Sequence, residues 1–161
     1  MVATAVAPYV RTEGAEHSIW YSGGLMTLLA TSADTDGQYS LIDYHADQGG
    51  EPPFHTHANE DESFYVIEGQ VTFCLGDEKV QAGPGSWAVV PKGTVHTFKV
   101  NTEHARMLVY FTPGGFEEFF MTLGTPVTSL DRRPHLMGEP DFDEIVALAA
   151  RLGCEFVLPG Q

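Results

Sequence analysis

Two histidines separated by one residue, His55 and His57, are the feature that most constrains how this chain can fold. In an extended backbone, residues two apart point to the same side, so both imidazoles would leave one face of a single strand. Glu62 follows shortly before residues 64–67, a run rich in aromatic and β-branched residues that is typical of a strand. Two imidazoles and a carboxylate on neighbouring strands offer three ligands to a divalent metal ion.

A fourth ligand is predicted in a later segment, where His96, Phe98 and Val100 alternate with Thr97 and Lys99. If this segment is a strand with its apolar face inward, His96 points inward as well. The predicted site then combines three nitrogen donors and one carboxylate: His55, His57, Glu62 and His96.

This set of donors suits one divalent transition metal ion, namely iron, manganese, nickel, cobalt, copper or zinc. Four protein ligands leave one or two positions open on a five- or six-coordinate ion, which suits substrate, water or dioxygen. Two simpler alternatives are a purely structural metal and four polar residues with no metal. Glu62 either stays bound to the metal or acts as a base toward a substrate hydroxyl group.

The surroundings of the site are expected to be apolar and aromatic. The residues expected to face inward are Phe64, Phe73, Trp87 or Val89, Phe98, and Met107 or Leu108. An apolar pocket beside a metal favours a flat or aromatic organic ligand over a sugar phosphate. The alternative is that most of these residues simply form the core.

Short strands separated by turns that contain Gly, Pro or Asp predict an all-β sandwich or barrel. The predicted strands cover residues 25–31, 38–46, 71–75, 78–81, 87–90, 96–100 and 105–111, with a turn at 32–37. Two helices are predicted after the strands. Phe116, Phe119, Phe120 and Leu123 recur with a helical period, and a second helix begins near a capping box of Asp141 and Glu144.

Length and charge limit the kinds of partner. A chain of 161 residues is expected to form one domain. Its formal net charge of −14 disfavours binding to nucleic acid or to anionic membranes. The two cysteines, Cys74 and Cys154, do not suggest a disulfide framework, and no signal-peptide pattern is present, so we expect a cytoplasmic protein.

The spacing of the two histidine segments resembles that of a known family. Gly49, His55, His57, Glu62 and Gly69 fit the pattern G-x5-H-x-H-x4-E-x6-G. The second segment fits G-x5-P-x-G-x2-H through Gly85, Pro91, Gly93 and His96. Together they resemble the two signature motifs of the cupin superfamily. The second motif usually closes with Asn, whereas here Val100 stands at that position and Asn101 follows it, a departure that does not touch the ligands.

The resemblance implies an antiparallel jelly-roll barrel, also called a double-stranded β-helix, in a single domain over residues 1–161. We expect an N-terminal arm (1–24), the barrel (25–112) and a C-terminal extension with two short helices (113–161). Residues 113–127 are also similar to the helix that follows the barrel in bacterial single-domain cupins similar to quercetin 2,3-dioxygenase. Cupin barrels often associate in pairs, which implies a homodimer.

In quercetin 2,3-dioxygenase-like cupins the four matching side chains bind a metal, the glutamate is the base, and dioxygen cleaves a flavonol with release of carbon monoxide. The resemblance therefore implies a dioxygenase acting on a flavonol-like or other enolisable aromatic compound, with Glu62 as catalytic base and ligand. The expected substrate pocket consists of Phe64, Phe73, Phe98, Met107, Phe116 and Phe120. The superfamily reuses this site, so two alternatives stand. One is a polyketide cyclase or isomerase that uses the metal as a Lewis acid, and the other is a non-catalytic binding protein.

Overall fold

The computed structural model describes residues 6–130 and 141–157. In these residues the strands are β1 (Ser18–Tyr21), β2 (Gly24–Ala30), β3 (Ser40–Asp47), β4 (His55–His57), β5 (Asp61–Glu68), β6 (Val71–Leu75), β7 (Glu78–Ala82), β8 (Trp87–Val90), β9 (His96–Val100), β10 (His104–Thr112), β11 (Thr125–Pro126) and β12 (Cys154–Phe156). The α-helices are α1 (Ser32–Thr35), α2 (Glu117–Leu123) and α3 (Phe142–Arg151). None of the described helices is long and apolar enough to cross a membrane.

All strand pairs are antiparallel and form two sheets. The larger sheet has the order β11-β1-β2-β3-β10-β5-β8, and the smaller one has the order β12-β4-β9-β6-β7. Phe64 of the larger sheet packs against Phe73 and Phe98 of the smaller sheet, with ring centroids 5.1 and 5.8 Å away. This all-β jelly roll confirms the predicted fold class.

Tight turns between the strands depend on glycine where the backbone reverses. Gly69, between β5 and β6, has φ = 82°. A Cβ atom added there would lie 2.5 Å from the carbonyl oxygen of His104, so a larger residue would strain both the turn and β10. The turn at Gly69 carries the chain from β5 in the larger sheet to β6 in the smaller one.

Most strand boundaries agree with the predictions, and β6, β8 and β9 agree at both ends. The segment 32–37, predicted as a turn, contains the single helical turn α1. The Thr31 side chain accepts a hydrogen bond from the Asp34 backbone, and the Asp34 carboxylate accepts one from Thr31 N. This reciprocal capping box supplies hydrogen-bond partners at the helix start, which explains why a short polar segment is helical.

The prediction that Trp87 or Val89 faces the core is wrong. Their exposed fractions are 55% and 50%. Ala88 and Val90 face inward instead, opposite Phe64 and Glu62 of β5. In β10, by contrast, Met107 is fully buried and Leu108 only partly, as one of the two alternatives predicted.

The N-terminal segment packs on the outside of the larger sheet. Within the predicted arm, residues Ser18–Tyr21 form β1 and pair with β2. Further upstream, the Tyr9 hydroxyl donates to the carbonyl oxygen of Leu29 at 2.9 Å, and Arg11 forms an ion pair with Asp34 at 2.8 Å. These contacts hold part of the N-terminal arm on the barrel.

The C-terminal part agrees with the predicted helices and adds two short strands, β11 and β12. Helix α2 covers the predicted helical run, and the Asp141 side chain caps α3 by accepting from the backbone of Asp143 and Glu144. Neither β11 nor β12 was predicted. The irregular segment predicted at 131–139 lies outside the described residues.

Candidate metal centre

The four predicted ligands lie together in the interior between the two sheets. His55 and His57 point inward from β4, Glu62 from β5 and His96 from β9, and each is less than 10% exposed. One possible ligand atom from each side chain lies within 4.8 Å of all the others. His55 is the direct register partner of His96, because β4 and β9 are neighbours in the smaller sheet. The fold therefore brings three segments of the chain, β4, β5 and β9, together at one point, as the sequence predicted.

The closest contact in the group joins His96 and Glu62. His96 Nδ1 lies 2.9 Å from the carbonyl oxygen of Thr94, which can only accept a hydrogen bond, so Nδ1 carries the proton. A neutral His96 then presents a lone pair on Nε2, and this atom lies 2.8 Å from Glu62 Oε2. Two lone pairs repel at this distance, so a proton or a cation must lie between them.

The imidazole of His55 is oriented in the same way as that of His96. Its Nδ1 donates to the carbonyl oxygen of Pro53 at 2.8 Å, which leaves the Nε2 lone pair facing the other ligands. Burial lowers the pKa of His55 to about 4, and this outweighs the opposing effect of Glu62. The imidazole is therefore neutral at physiological pH, the form that binds metals.

His57 is buried with both ring nitrogens lacking a hydrogen bond among the described residues. Nε2 lies 3.3 Å from Glu62 Oε2, and Nδ1 lies 3.7 Å from Glu60 Oε2. Burial disfavours a charge on this ring, but the two carboxylates outweigh burial and raise its pKa to about 9. A buried ring nitrogen without a hydrogen-bond partner lowers the stability of the fold. A metal ion at the centre of the four side chains would give His57 Nε2 a partner.

Glu62 is ionised in this environment. Burial raises the pKa of the carboxyl group, but the neighbouring imidazoles of His57 and His96 outweigh burial and hold the pKa below its ordinary value. The group thus combines a buried anion with three imidazoles that each direct a ring nitrogen toward the centre, and a metal ion there would take the place of the protons between them. Chemically, this set of donors fits a divalent transition metal ion.

A cavity of about 180 Å³ adjoins three of the four side chains, namely His55, His57 and Glu62. Of the predicted pocket residues, Phe64, Phe98, Phe116 and Phe120 line it. Phe73 and Met107 are absent from its described lining and are buried in the core instead, because their side chains fill the space between the sheets.

The lining also includes residues that sequence reasoning missed. They are Tyr21 from β1, Tyr44 from β3, Phe142 and Ile145 from α3, and Cys154 and Phe156 from β12. Tyr44 is buried within the core. Cys154 is buried as well, and burial raises the pKa of its thiol to about 12. The C-terminal residues contribute because α3 and β12 pack beside β4, a long-range arrangement that has no local sequence signal.

Glu60 is another buried residue near the proposed metal ligands that sequence reasoning missed. It is 5% exposed although it belongs to the acidic run Glu60, Asp61, Glu62. Its position three residues after His57, in the turn between β4 and β5, could have indicated a role beside that histidine.

His45 lies on the outer face of the larger sheet, away from the proposed metal ligands. Its Nε2 is 3.2 Å from Glu13 Oε2 and 3.8 Å from Asp43 Oδ1. Side chains alternate between the two faces along β3, and Tyr44 occupies the inner face, so His45 points outward.

Comparison with known proteins agrees with this geometry. A family model described as Cupin domain matches residues 43–113. The chain is 33% identical over 119 residues to the quercetin 2,3-dioxygenase of Bacillus subtilis (strain 168), a match that covers 74% of this chain and 35% of that protein. It is 31% identical over 125 residues to the quercetin 2,3-dioxygenase of Aspergillus japonicus, covering 74% of this chain and 33% of the relative.

The chain thus spans about a third of the length of these curated relatives. The fold is also that of an RmlC-like cupin from Shewanella frigidimarina NCIMB 400, with a TM-score of 0.57 at 18% identity, covering 66% of this chain and 93% of that one. The motifs, the two-sheet barrel and these similarities lead to one conclusion: the chain belongs to the cupin superfamily and is similar in sequence to quercetin 2,3-dioxygenases.

Proposed function

We propose that the protein is a metal-dependent dioxygenase that acts on a flavonol-like or other enolisable aromatic compound. His55, His57, Glu62 and His96 hold one divalent transition metal ion, and Glu62 also serves as the base. The observation that carries the proposal is the 2.8 Å contact between His96 Nε2 and Glu62 Oε2, at the edge of a cavity lined by aromatic residues. The two curated relatives named quercetin 2,3-dioxygenase support this choice of reaction.

The cavity wall suits a flat, apolar ligand. Phe116 meets the ring of His57 edge-on with centroids 4.2 Å apart, and Phe120 lies 5.6 Å from Phe116. Aromatic side chains in such arrangements bind planar rings through apolar burial and ring contacts. These residues also keep water away from the metal ligands.

The residues of this chain have separate tasks in the proposed reaction. When bound, a transition metal ion supplies the redox or Lewis-acid chemistry that such substrates require. The ionised Glu62 carboxylate accepts the proton of the acidic substrate hydroxyl group, which leaves the substrate as its enolate and Glu62 as a neutral acid. The Nδ1–H bonds of His55 and His96 to backbone carbonyl oxygens keep both Nε2 atoms directed at the centre.

Oxygen uptake tests the proposal directly. The purified protein, with its metal content known from elemental analysis, is incubated with quercetin and with a panel of hydroxylated aromatic compounds in an oxygen electrode. We expect oxygen consumption with carbon monoxide in the headspace, and loss of both in His57→Ala. The matched control is His104→Ala, because His104 is exposed and pairs with Glu68 outside the site.

Two other outcomes would contradict the proposal, and each would favour a different function. Turnover without oxygen consumption would indicate a metal-dependent cyclase or isomerase that uses Lewis-acid chemistry. Tight binding of an aromatic compound without turnover would indicate a non-catalytic binding protein.

A further inference from the structure

The strand that carries two of the proposed metal ligands is held mainly by the C-terminal end of the described chain. Strand β4 has three residues, and its pairing with β9 consists of the single register pair His55 and His96. On its other side, β12 pairs with all three residues: Cys154 with His57, Glu155 with Thr56, and Phe156 with His55.

Further hydrogen bonds extend this pairing beyond both ends of β4. Ala58 N–H donates to the Gly153 carbonyl oxygen at 2.8 Å, and Val157 N–H donates to the Phe54 carbonyl oxygen at 2.7 Å. The side chain of Asn59 donates to the carbonyl oxygen of Leu152 at 3.1 Å.

The same C-terminal segment borders the cavity. Phe142 of α3 and Phe156 of β12 both line it, with ring centroids 6.4 Å apart, and the Phe156 ring lies 6.3 Å from His55. One C-terminal segment therefore supplies both residues around the cavity mouth and the backbone that pairs with β4.

We propose that β12 is a positioning strand for the metal centre: its backbone pairing with β4 sets the places of His55 and His57. Without β12, β4 would be an edge strand held only by its one residue pair with β9 and by the hydrogen bond from Gly93 N–H to the His57 carbonyl oxygen at 2.7 Å, so its two imidazoles would be less firmly fixed relative to Glu62 and His96. Metal sites depend strongly on such support, and loss of an outer contact commonly costs about 10–100-fold in affinity. This inference rests on the proposed metal centre.

The hydrogen-bond pattern identifies the residue at which to test it. Antiparallel pairs alternate between hydrogen-bonded and non-hydrogen-bonded positions. Since Gly153 and Val157 are bonded positions, the residue midway between them, Glu155, is one too, and its N–H faces Thr56. The Glu155 side chain is exposed, so Glu155→Pro and Glu155→Ala both lose the carboxylate and differ in the backbone N–H.

The experiment measures Co²⁺ affinity by competition with a chelator and records the Co²⁺ absorption spectrum of the full chain. We expect Glu155→Pro to bind at least about tenfold more weakly than Glu155→Ala, with an altered spectrum. Val80→Pro is the proline control, because Val80 is 47% exposed on the edge strand β7 and pairs with Phe73 of β6 at a hydrogen-bonded position. It should lower thermal stability without changing Co²⁺ affinity or the spectrum.

A folded Glu155→Pro variant with the affinity and spectrum of Glu155→Ala would overturn the proposal for β12. If Glu155→Pro does not fold, Asn59→Ala serves as the test, because it removes the hydrogen bond to the Leu152 carbonyl oxygen. We expect its Co²⁺ affinity to fall by about threefold. An unchanged Co²⁺ affinity would overturn the proposal. A wild-type protein that does not bind Co²⁺ would instead refute the metal centre itself, and the role of β12 with it.

Discussion

Glu60 Oε2 lies 3.7 Å from His57 Nδ1 in the interior of the barrel, so a buried carboxylate stands behind one of the proposed metal ligands. A carboxylate in this position favours a proton on Nδ1 and therefore a free lone pair on Nε2, the atom that faces Glu62. The turn between β4 and β5 thus supplies the group that orients one proposed ligand, and β5 supplies another ligand, Glu62.

The first prediction concerns this pair. Glu60→Gln keeps the size of the side chain but removes its charge, so we expect metal affinity to fall by about 10-fold or more. Chelator competition with Zn²⁺ or Co²⁺ measures the change. Glu103→Gln, an equivalent change at an exposed position, serves as the control. An affinity for Glu60→Gln equal to that of the control would show that Glu60 does not act on the metal centre.

The second prediction concerns pH and the anchor of the N-terminal segment. Hydrogen bonds from Arg11 are the largest influence on Asp34, and they hold the pKa of its carboxyl group below the ordinary value of 3.8 against the opposing effect of burial. This contribution to stability is complete above pH 3.8 or so and is lost as the pH falls through the lower pKa of the folded state.

We therefore expect Asp34→Asn to lower the free energy of unfolding by about 1 kcal/mol at pH 7, and by progressively less as the pH falls below 3.8. Urea unfolding over a pH series measures this. Asp36→Asn is the control, because Asp36 is exposed. A difference between wild type and Asp34→Asn that does not shrink in acid would contradict the assignment.

The third prediction separates packing from ligand binding in the cavity wall. Phe116 is 4% exposed and stacks on Phe119, whereas Phe142 is 50% exposed at the mouth. Phe116→Ala should lower the free energy of unfolding by about 3 kcal/mol or more, because it opens a void beside His57.

Phe142→Ala should cost less than about 1 kcal/mol in stability but weaken the binding of aromatic compounds such as quercetin. Chemical denaturation and fluorescence titration measure the two effects. Equal losses of stability in both variants would mean that α3 is packed more tightly than the exposure of Phe142 indicates.

Much of the barrel could be predicted because its strands alternate and its turns contain glycine. In β9 the apolar residues and His96 share one face, so one pattern gave both the strand and the inward ligand. The pattern in β8 was ambiguous, because alternation shows which residues share a face but not which face is inside. Trp87 and Val89 are larger than Ala88, yet they face outward because Ala88 and Val90 lie opposite Phe64 and Glu62.

Other parts of the site depend on contacts between distant segments. The acidic run from Glu60 to Glu62 reads as a solvated turn, and only the folded barrel shows that Glu60 is buried. In the same way, Cys154 and Phe156 carry no local sign that they border the cavity, since the strand that contains them forms by pairing with β4.

Metal stoichiometry tests the central claim most directly. Wild-type protein, His57→Ala, His96→Ala and the exposed control His104→Ala are loaded with Co²⁺, dialysed and analysed for bound metal per chain. We predict about one ion in wild type and in His104→Ala, and nearly none in the other two variants, because the proposed site uses three imidazoles and Glu62, which lie close enough to share one ion. Retention of a full equivalent of metal by His57→Ala and His96→Ala would contradict the account.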